Sequence, residues 1–157
     1  MSGPEAVRAE PLTAAAFAPF GEVIEADPRR ARVINDGWTL RDHALARVDA
    51  EGAPAILSIF RGRPRPLRAE LLERHPLGSQ AFVPLGRRPW VTVVAEAPDA
   101  PLRAFLCGPE QGVQIGRGVW HHPLLTLAAQ DFLVVDRDRP DENLEEVRLP
   151  APVPIGL

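Results

Sequence analysis

Histidine is scarce in this chain, four residues in 157, and three of the four fall in two short segments. The first segment is Glu73-Arg74-His75-Pro76-Leu77-Gly78-Ser79-Gln80, and the second is Gly116-Arg117-Gly118-Val119-Trp120-His121-His122-Pro123. If Glu73 to His75 is extended, side chains two apart share a face. Glu73 and His75 then look the same way, and Gln80 follows after one turn. His121 and His122 are adjacent, so only one can face inward from a strand. The spacing from Gly118 favours His121, with His122 turned away or supporting a loop. A carboxylate, two imidazoles and an amide oxygen suit a first-row divalent ion such as Ni²⁺, Mn²⁺ or Zn²⁺. The same groups can instead move protons near neutral pH, or simply hydrogen-bond. Residue types alone leave these readings open, because Glu-x-His is a short pattern that recurs by chance.

Arg61, Arg63, Arg65 and Arg68 form the densest basic run. Pro64 and Pro66 end any strand there, which leaves Arg63, Arg65 and Arg68 as a solvated edge. Arg61 directly follows the apolar run ending at Phe60, so it is the one expected to enter a pocket and grip a carboxylate in a bidentate fork. Asn35-Asp36-Gly37 is first a turn and second a substrate contact through Asn35. His43 stands alone in a polar stretch. Trp38, Trp90 and Trp120 are expected in the core or a pocket wall, and Cys107 as a small buried hydrophobe. Ser79 has no adjacent base, which makes it a poor nucleophile.

The elements that must hold these groups are short. Gly and Pro total 12 and 18 residues and are spread throughout, which punctuates the chain into strands and disfavours a helix bundle. Thr13 can cap a short helical turn over Ala14 to Phe17, stopped by Pro19 and Gly21. Strand-like runs rich in β-branched and aromatic residues cover 22–25, 32–35, 55–60, 80–83, 90–95, 123–127 and 131–135. Ala69 to Arg74 reads equally as helix or strand. With no internal repeat and no low-complexity segment, residues 1–157 are expected to form one mainly β domain, a sandwich or barrel. The tail from Leu149 to Leu157, with Pro150, Pro152 and Pro154, is expected to dock on a barrel edge or a partner subunit.

Composition removes several function classes. All 18 basic residues are arginine and tyrosine is absent, so Schiff-base lysine, P-loop lysine and tyrosyl chemistry are excluded. The net charge of −3 does not suit nucleic acid. The one cysteine can form neither an internal disulfide nor a thiolate zinc cluster. No apolar run approaches a membrane span, and Met1 to Glu10 lacks the apolar stretch of a signal peptide. A reducing cytoplasm is the expected compartment.

Longer stretches carry a more specific signal. Leu72 to Leu85 (LERHPLGSQAFVPL), Leu102-Arg103-Ala104-Phe105, Glu110-Gln111-Gly112-Val113, Gly118 to Leu124 (GVWHHPL) and Asp131 to Arg137 (DFLVVDR) resemble the bacterial ureidoglycolate lyase family. So do Phe20-Gly21-Glu22-Val23-Ile24, Ile34-Asn35-Asp36-Gly37 and Ser58-Ile59-Phe60-Arg61. The likeness runs from about Leu12 to Arg137. It implies a cupin-like β-barrel or double-sheet jelly roll with a short N-terminal helix, usually a homodimer. It also implies cleavage of (S)-ureidoglycolate to glyoxylate and urea, in allantoin and purine breakdown. Against the usual cupin motifs, Glu73 stands for the first histidine, His75 for the second, Gln80 for the glutamate, and His121 for the histidine of the second motif. Nickel is the metal this likeness implies, and no organic cofactor is expected.

Ureidoglycolate carries a hydroxyl, a carboxylate, a hydrogen and a ureido nitrogen on one carbon. Its cleavage requires the hydroxyl proton to leave, the nitrogen to gain one, and the developing charge on oxygen to be stabilised. The resemblance implies a metal held by Glu73, His75, Gln80 and His121, with Arg61, Gln80 and Asn35 binding substrate. One of His75, His121, His122 or Glu73 would then move the proton; a metal-free variant uses His75 or His121 directly. Two rivals predict other outcomes. An amidohydrolase acting on the same substrate would release ammonia. A cupin-type module without catalysis would only bind a small carboxylate.

Overall fold

The computed structural model describes residues 3–157. Strands β1 (Val7–Pro11), β2 (Gly21–Ile24), β3 (Arg32–Ile34), β4 (Thr39–Arg41), β5 (Ala55–Gly62), β6 (Arg68–Arg74) and β7 (Gln80–Pro84) make up the first half. The second half holds β8 (Trp90–Ala95), β9 (Arg103–Cys107), β10 (Gly112–Ile115), β11 (Trp120–His121), β12 (Leu125–Thr126), β13 (Gln130–Arg137) and β14 (Glu145–Gly156). Among the described residues there is one α-helix, α1 (Ala14–Phe17), near the start. Thr13 caps it as the sequence predicts, its hydroxyl accepting from the Ala16 amide at 3.1 Å.

Seven strands run in the order β11-β6-β14-β1-β9-β8-β12, and β11 also pairs with β8, which closes the run into a ring. A second sheet, ordered β2-β10-β7-β13-β5, is antiparallel throughout. This closed ring with a packed sheet is the mainly β, cupin-like architecture expected from the sequence. The main core fills the space between the sheets. Phe17, Phe105, Trp90, Phe82, Phe132 and Val134 are buried there, with edge-on aromatic pairs at 5.3 Å (Phe17–Phe105) and 5.2 Å (Trp90–Phe132). Alternation along β8 sends Val91 and Val93 to the other face, into a second cluster with Ala69, Ala104, Leu125 and Ile155. Gly21 lets β2 close on β10: a Cβ there would stand 1.8 Å from the Gln114 carbonyl oxygen.

Three expectations change. Ala69–Arg74 is strand, because β14 and β11 flank it and supply its ladder. The proline-rich tail, expected to dock on a barrel edge or a partner subunit, is the end of β14 and lies inside the sheet between β6 and β1. Its register skips between Arg148 and Val153, where Pro150 and Pro152 cannot donate to a ladder. Trp38 is 90% exposed rather than buried. It lies at the tip of the β3–β4 hairpin, whose strands pair only with each other.

Candidate active site

Glu73 and His121 are direct partners in the β6–β11 ladder. His75 follows β6 by one residue, and Gln80 opens β7. The strands β6, β7 and β11 therefore bring Glu73, His75 and His121 together, with one ligand atom from each lying within 4.8 Å of the others. The His75 and His121 rings are 5.2 Å apart, centroid to centroid.

The hydrogen bonds at each ring decide which atoms face the cluster. His121 Nδ1 lies 3.0 Å from the Val119 carbonyl oxygen, which can only accept, so Nδ1 carries the hydrogen. Nε2 is the nitrogen left facing the cluster. It is buried without a hydrogen-bond partner and stands 3.5 Å from Glu73 Oε1. A ring tied through one nitrogen to a backbone carbonyl, with the other bare, is how a histidine is held ready for a metal. His75 is tied at one nitrogen in the same way, Nδ1 donating to the Asn143 carbonyl at 2.8 Å, but its Nε2 is not bare: it lies 2.9 Å from Gln80 Oε1. Burial raises Glu73, but the neighbouring imidazoles, His121 above all and then His75 and His122, outweigh it and hold the carboxyl below its ordinary value. The residues present fit a divalent ion: a buried orphan imidazole nitrogen, an ionised carboxylate and a second imidazole converge, with the Gln80 amide oxygen alongside.

His122, one residue past the end of β11, is not part of this cluster. Its Nδ1 donates to the Pro123 carbonyl at 2.8 Å. Burial pushes its imidazole below the ordinary range, against the pull of the Pro123 carbonyl and of Glu70 and Glu73. Arg61 does not reach the cluster within the same chain. Phe60 packs inward on Phe82 at 6.0 Å, so Arg61 is turned outward and exposed. It pairs with Asp131, five positions along β13 from Asp136, which is about 17 Å at the usual rise per residue. The expected pocket entry fails because β5 continues through Gly62, leaving Arg61 inside the strand rather than at its end. Asn35 is at the hairpin tip, its amide bonded to Thr39 Oγ1 at 3.1 Å. It has φ 53°, followed by Asp36 at 55° and Gly37 at 93°, so its turn role is the one realised.

Two residues that shape the site escape a reading of the sequence. Asn143 receives His75 Nδ1 on its carbonyl, and its side-chain oxygen accepts from the Leu77 amide at 2.5 Å. Asp136 accepts from Gln80 Nε2 at 3.1 Å. Both are remote in sequence from the histidines. The signal that could have found Asp136 is its place as the one acidic inward position of a strand with alternating burial. Ser79 is buried in a structural network: it accepts from the Asp49 amide at 2.9 Å and donates to Gln114 Oε1 at 3.2 Å.

The family follows from known proteins of similar sequence. The family model described as ureidoglycolate lyase matches residues 4–156. A protein named ureidoglycolate lyase 1 from Rhizobium meliloti (strain 1021) is 58% identical over 146 residues, covering 87% of this chain and 85% of its own. A ureidoglycolate lyase from Rhizobium etli (strain CIAT 652) is 52% identical over 158 residues, covering 95% of each. One from Burkholderia mallei (strain NCTC 10229) is 52% identical over 149 residues, covering 90% and 88%. On that match the chain belongs to the ureidoglycolate lyase family.

Proposed function

We propose that this protein is a carbon–nitrogen lyase that cleaves (S)-ureidoglycolate to glyoxylate and urea at the Glu73, His75 and His121 cluster. The observation that carries the reading is the buried, unpartnered Nε2 of His121, facing an ionised carboxylate. Glu73, His75 and His121, with Gln80 Oε1 beside them, would hold a divalent ion, nickel by family likeness. Such an ion supplies polarisation of the substrate hydroxyl oxygen and a counter-charge for the carboxylate.

The chain's own groups do the proton work. Glu73 has two oxygens, and the one not engaged toward His121 accepts the hydroxyl proton. As that proton leaves, the carbon–oxygen bond becomes a carbonyl and the carbon–nitrogen bond breaks. The electron pair passes to the ureido nitrogen, which takes up the proton returned from Glu73. Atoms and charge balance without nucleophile, oxidant or organic cofactor. His121, with His75 and His122, holds Glu73 ionised.

The protein is further proposed to act as a homodimer in the cytoplasm, with no nucleic-acid or membrane partner. No helix among the described residues is long and apolar enough to cross a membrane. The β3–β4 hairpin leaves Val33, Trp38 and Leu40 exposed, and the outward face of β5 adds Leu57 and Ile59. A two-stranded hairpin without other partners is marginal in water, and such apolar surface suits a second copy. Arg61 and Asn35 stand on these same two elements, so they would meet substrate only in the partner's site.

The test is product counting on purified protein given (S)-ureidoglycolate, with and without chelation. Equal urea and glyoxylate with no ammonia is the expected result. Ammonia in place of urea would make the protein an amidohydrolase. Binding without turnover, after nickel or manganese is restored, would reduce it to a carboxylate-binding module.

A further inference from the structure

Gln80 lies between two groups that want different ends of its amide. Its Oε1 is 2.9 Å from His75 Nε2, inside the cluster, and its Nε2 is 3.1 Å from Asp136 Oδ2, on the far side. Gln80 is 5% exposed and Asp136 8%, so water does not compete for either contact. The two ends of an amide are close in size, and nothing in the shape of Gln80 itself decides which one meets the cluster. Asp136 breaks this tie. Its Oδ2 accepts from the amide NH₂ at 3.1 Å; the reversed amide would set oxygen against carboxylate oxygen in a buried place.

We propose that Asp136 is a positioning residue, which by holding the NH₂ of Gln80 fixes the amide oxygen toward His75 and the ion-binding side of the cluster. The consequence is chemical. Oriented this way, the fourth position offers an oxygen donor to a divalent ion; reversed, it would offer hydrogens and repel one. The backbone supports this pairing. Val135 and Ala81 are partners in the β13–β7 ladder, so Asp136 and Gln80 sit one step further along adjacent antiparallel strands, where cross-strand neighbours meet. Burial raises the Asp136 carboxyl from its ordinary value, while the bond from Gln80 and the charge of His75 oppose that rise. The reading rests on the proposed lyase site for its catalytic consequence, but the orientation itself does not.

The experiment separates the two. In metal-free wild-type protein at pH 8, NMR of the Gln80 side-chain NH₂ should show one proton shifted downfield and protected from exchange, as expected for a bond to a carboxylate. Two freely exchanging amide protons would overturn the proposal whatever the activity. In Asp136→Asn, which keeps shape and can either donate or accept, that signature should disappear. Mn²⁺ affinity, read by chelator competition, should fall roughly 10–100-fold, the usual effect of losing an outer partner of a ligand. In the Mn²⁺-loaded enzyme kcat should fall with KM near wild type, since Gln80 would act on the reacting centre. A D136N protein with wild-type Gln80 signals, Mn²⁺ affinity and kcat would overturn the proposal. Wild-type protein that shows the NMR signature but never cleaves ureidoglycolate would overturn the lyase reading and leave the orientation standing. Should Asp136→Asn not fold, the wild-type NMR result decides.

Discussion

His121 Nε2 and Glu73 Oε1 stand 3.5 Å apart across directly paired residues of β11 and β6, and the other nitrogen of the ring is tied to the Val119 carbonyl. At that distance the pair is too long for a good hydrogen bond and well placed to share a third partner. His121→Ala should therefore cost at least about 100-fold in kcat, in line with removal of a group that touches the reacting centre. Circular dichroism and gel filtration should remain those of the wild type. Normal turnover by the folded variant would move the site away from this motif.

Glu73 is the charged member of the set, so ion binding should depend on it most. Adding Ni²⁺ or Mn²⁺ to metal-free protein should raise Tm, since saturation at 100 times Kd stabilises by about 2.7 kcal/mol. Glu73→Gln keeps the shape and removes the charge, and most of that thermal shift should vanish with it. An equal shift in wild type and E73Q, read by differential scanning fluorimetry, would mean that the ion binds elsewhere.

Gly21 should be intolerant of any side chain. The Cβ of Gly21→Ala would meet the Gln114 carbonyl oxygen at 1.8 Å, and that oxygen is backbone in the adjacent strand. The β2–β10 ladder must part to admit it, at about 3 kcal/mol. Urea unfolding should report this as a lower midpoint with little change in slope. A midpoint within error of wild type would show that β2 can shift freely.

Cys107 is fully buried, and burial pushes its thiol well above the usual cysteine range, with the Thr92 backbone bond opposing weakly. Only the thiolate reacts with a disulfide reagent. The sign is therefore plain: raising the pH through 8 and 9 should not speed labelling of folded protein, whereas urea should. Labelling that rises with pH in the absence of denaturant would mean that the β8–β9 region opens without global unfolding.

The hairpin makes the dimer testable. Trp38 is 90% exposed and is the aromatic anchor most suited to a partner surface. Trp38→Ser should shift sedimentation from dimer toward monomer, with a rise in dissociation constant of roughly thirtyfold if it contributes about 2 kcal/mol. Arg61→Ala should raise KM if Arg61 contacts substrate in the partner's site; an unchanged KM would retire it as a contact.

The sequence by itself determined the parts whose causes are local. Thr13 before an alanine run makes a capped turn because its hydroxyl needs only the amide three residues on. Trp90–Ala95 is a strand because β-branched and aromatic side chains favour a pleated surface. The choice of His121 over His122 for the cluster was made from the sequence and is what the structure shows. Even the membership of Glu73, His75 and His121 in one cluster was legible, through spacing and family likeness.

What the tertiary structure decided depends on partners far away in the chain. Ala69–Arg74 reads locally as helix or strand alike; the ladders from β11 and β14 decide for strand. The proline-rich tail became an interior strand because β6 and β1 both need a neighbour there. Arg61 left the expected pocket because Phe60 took the inward position against Phe82, and strand parity did the rest. Asp136 and Asn143 entered the site only through pairings that span 56 and 68 residues. No local pattern marks an acceptor that distant, since its partner exists only once the sheets have closed.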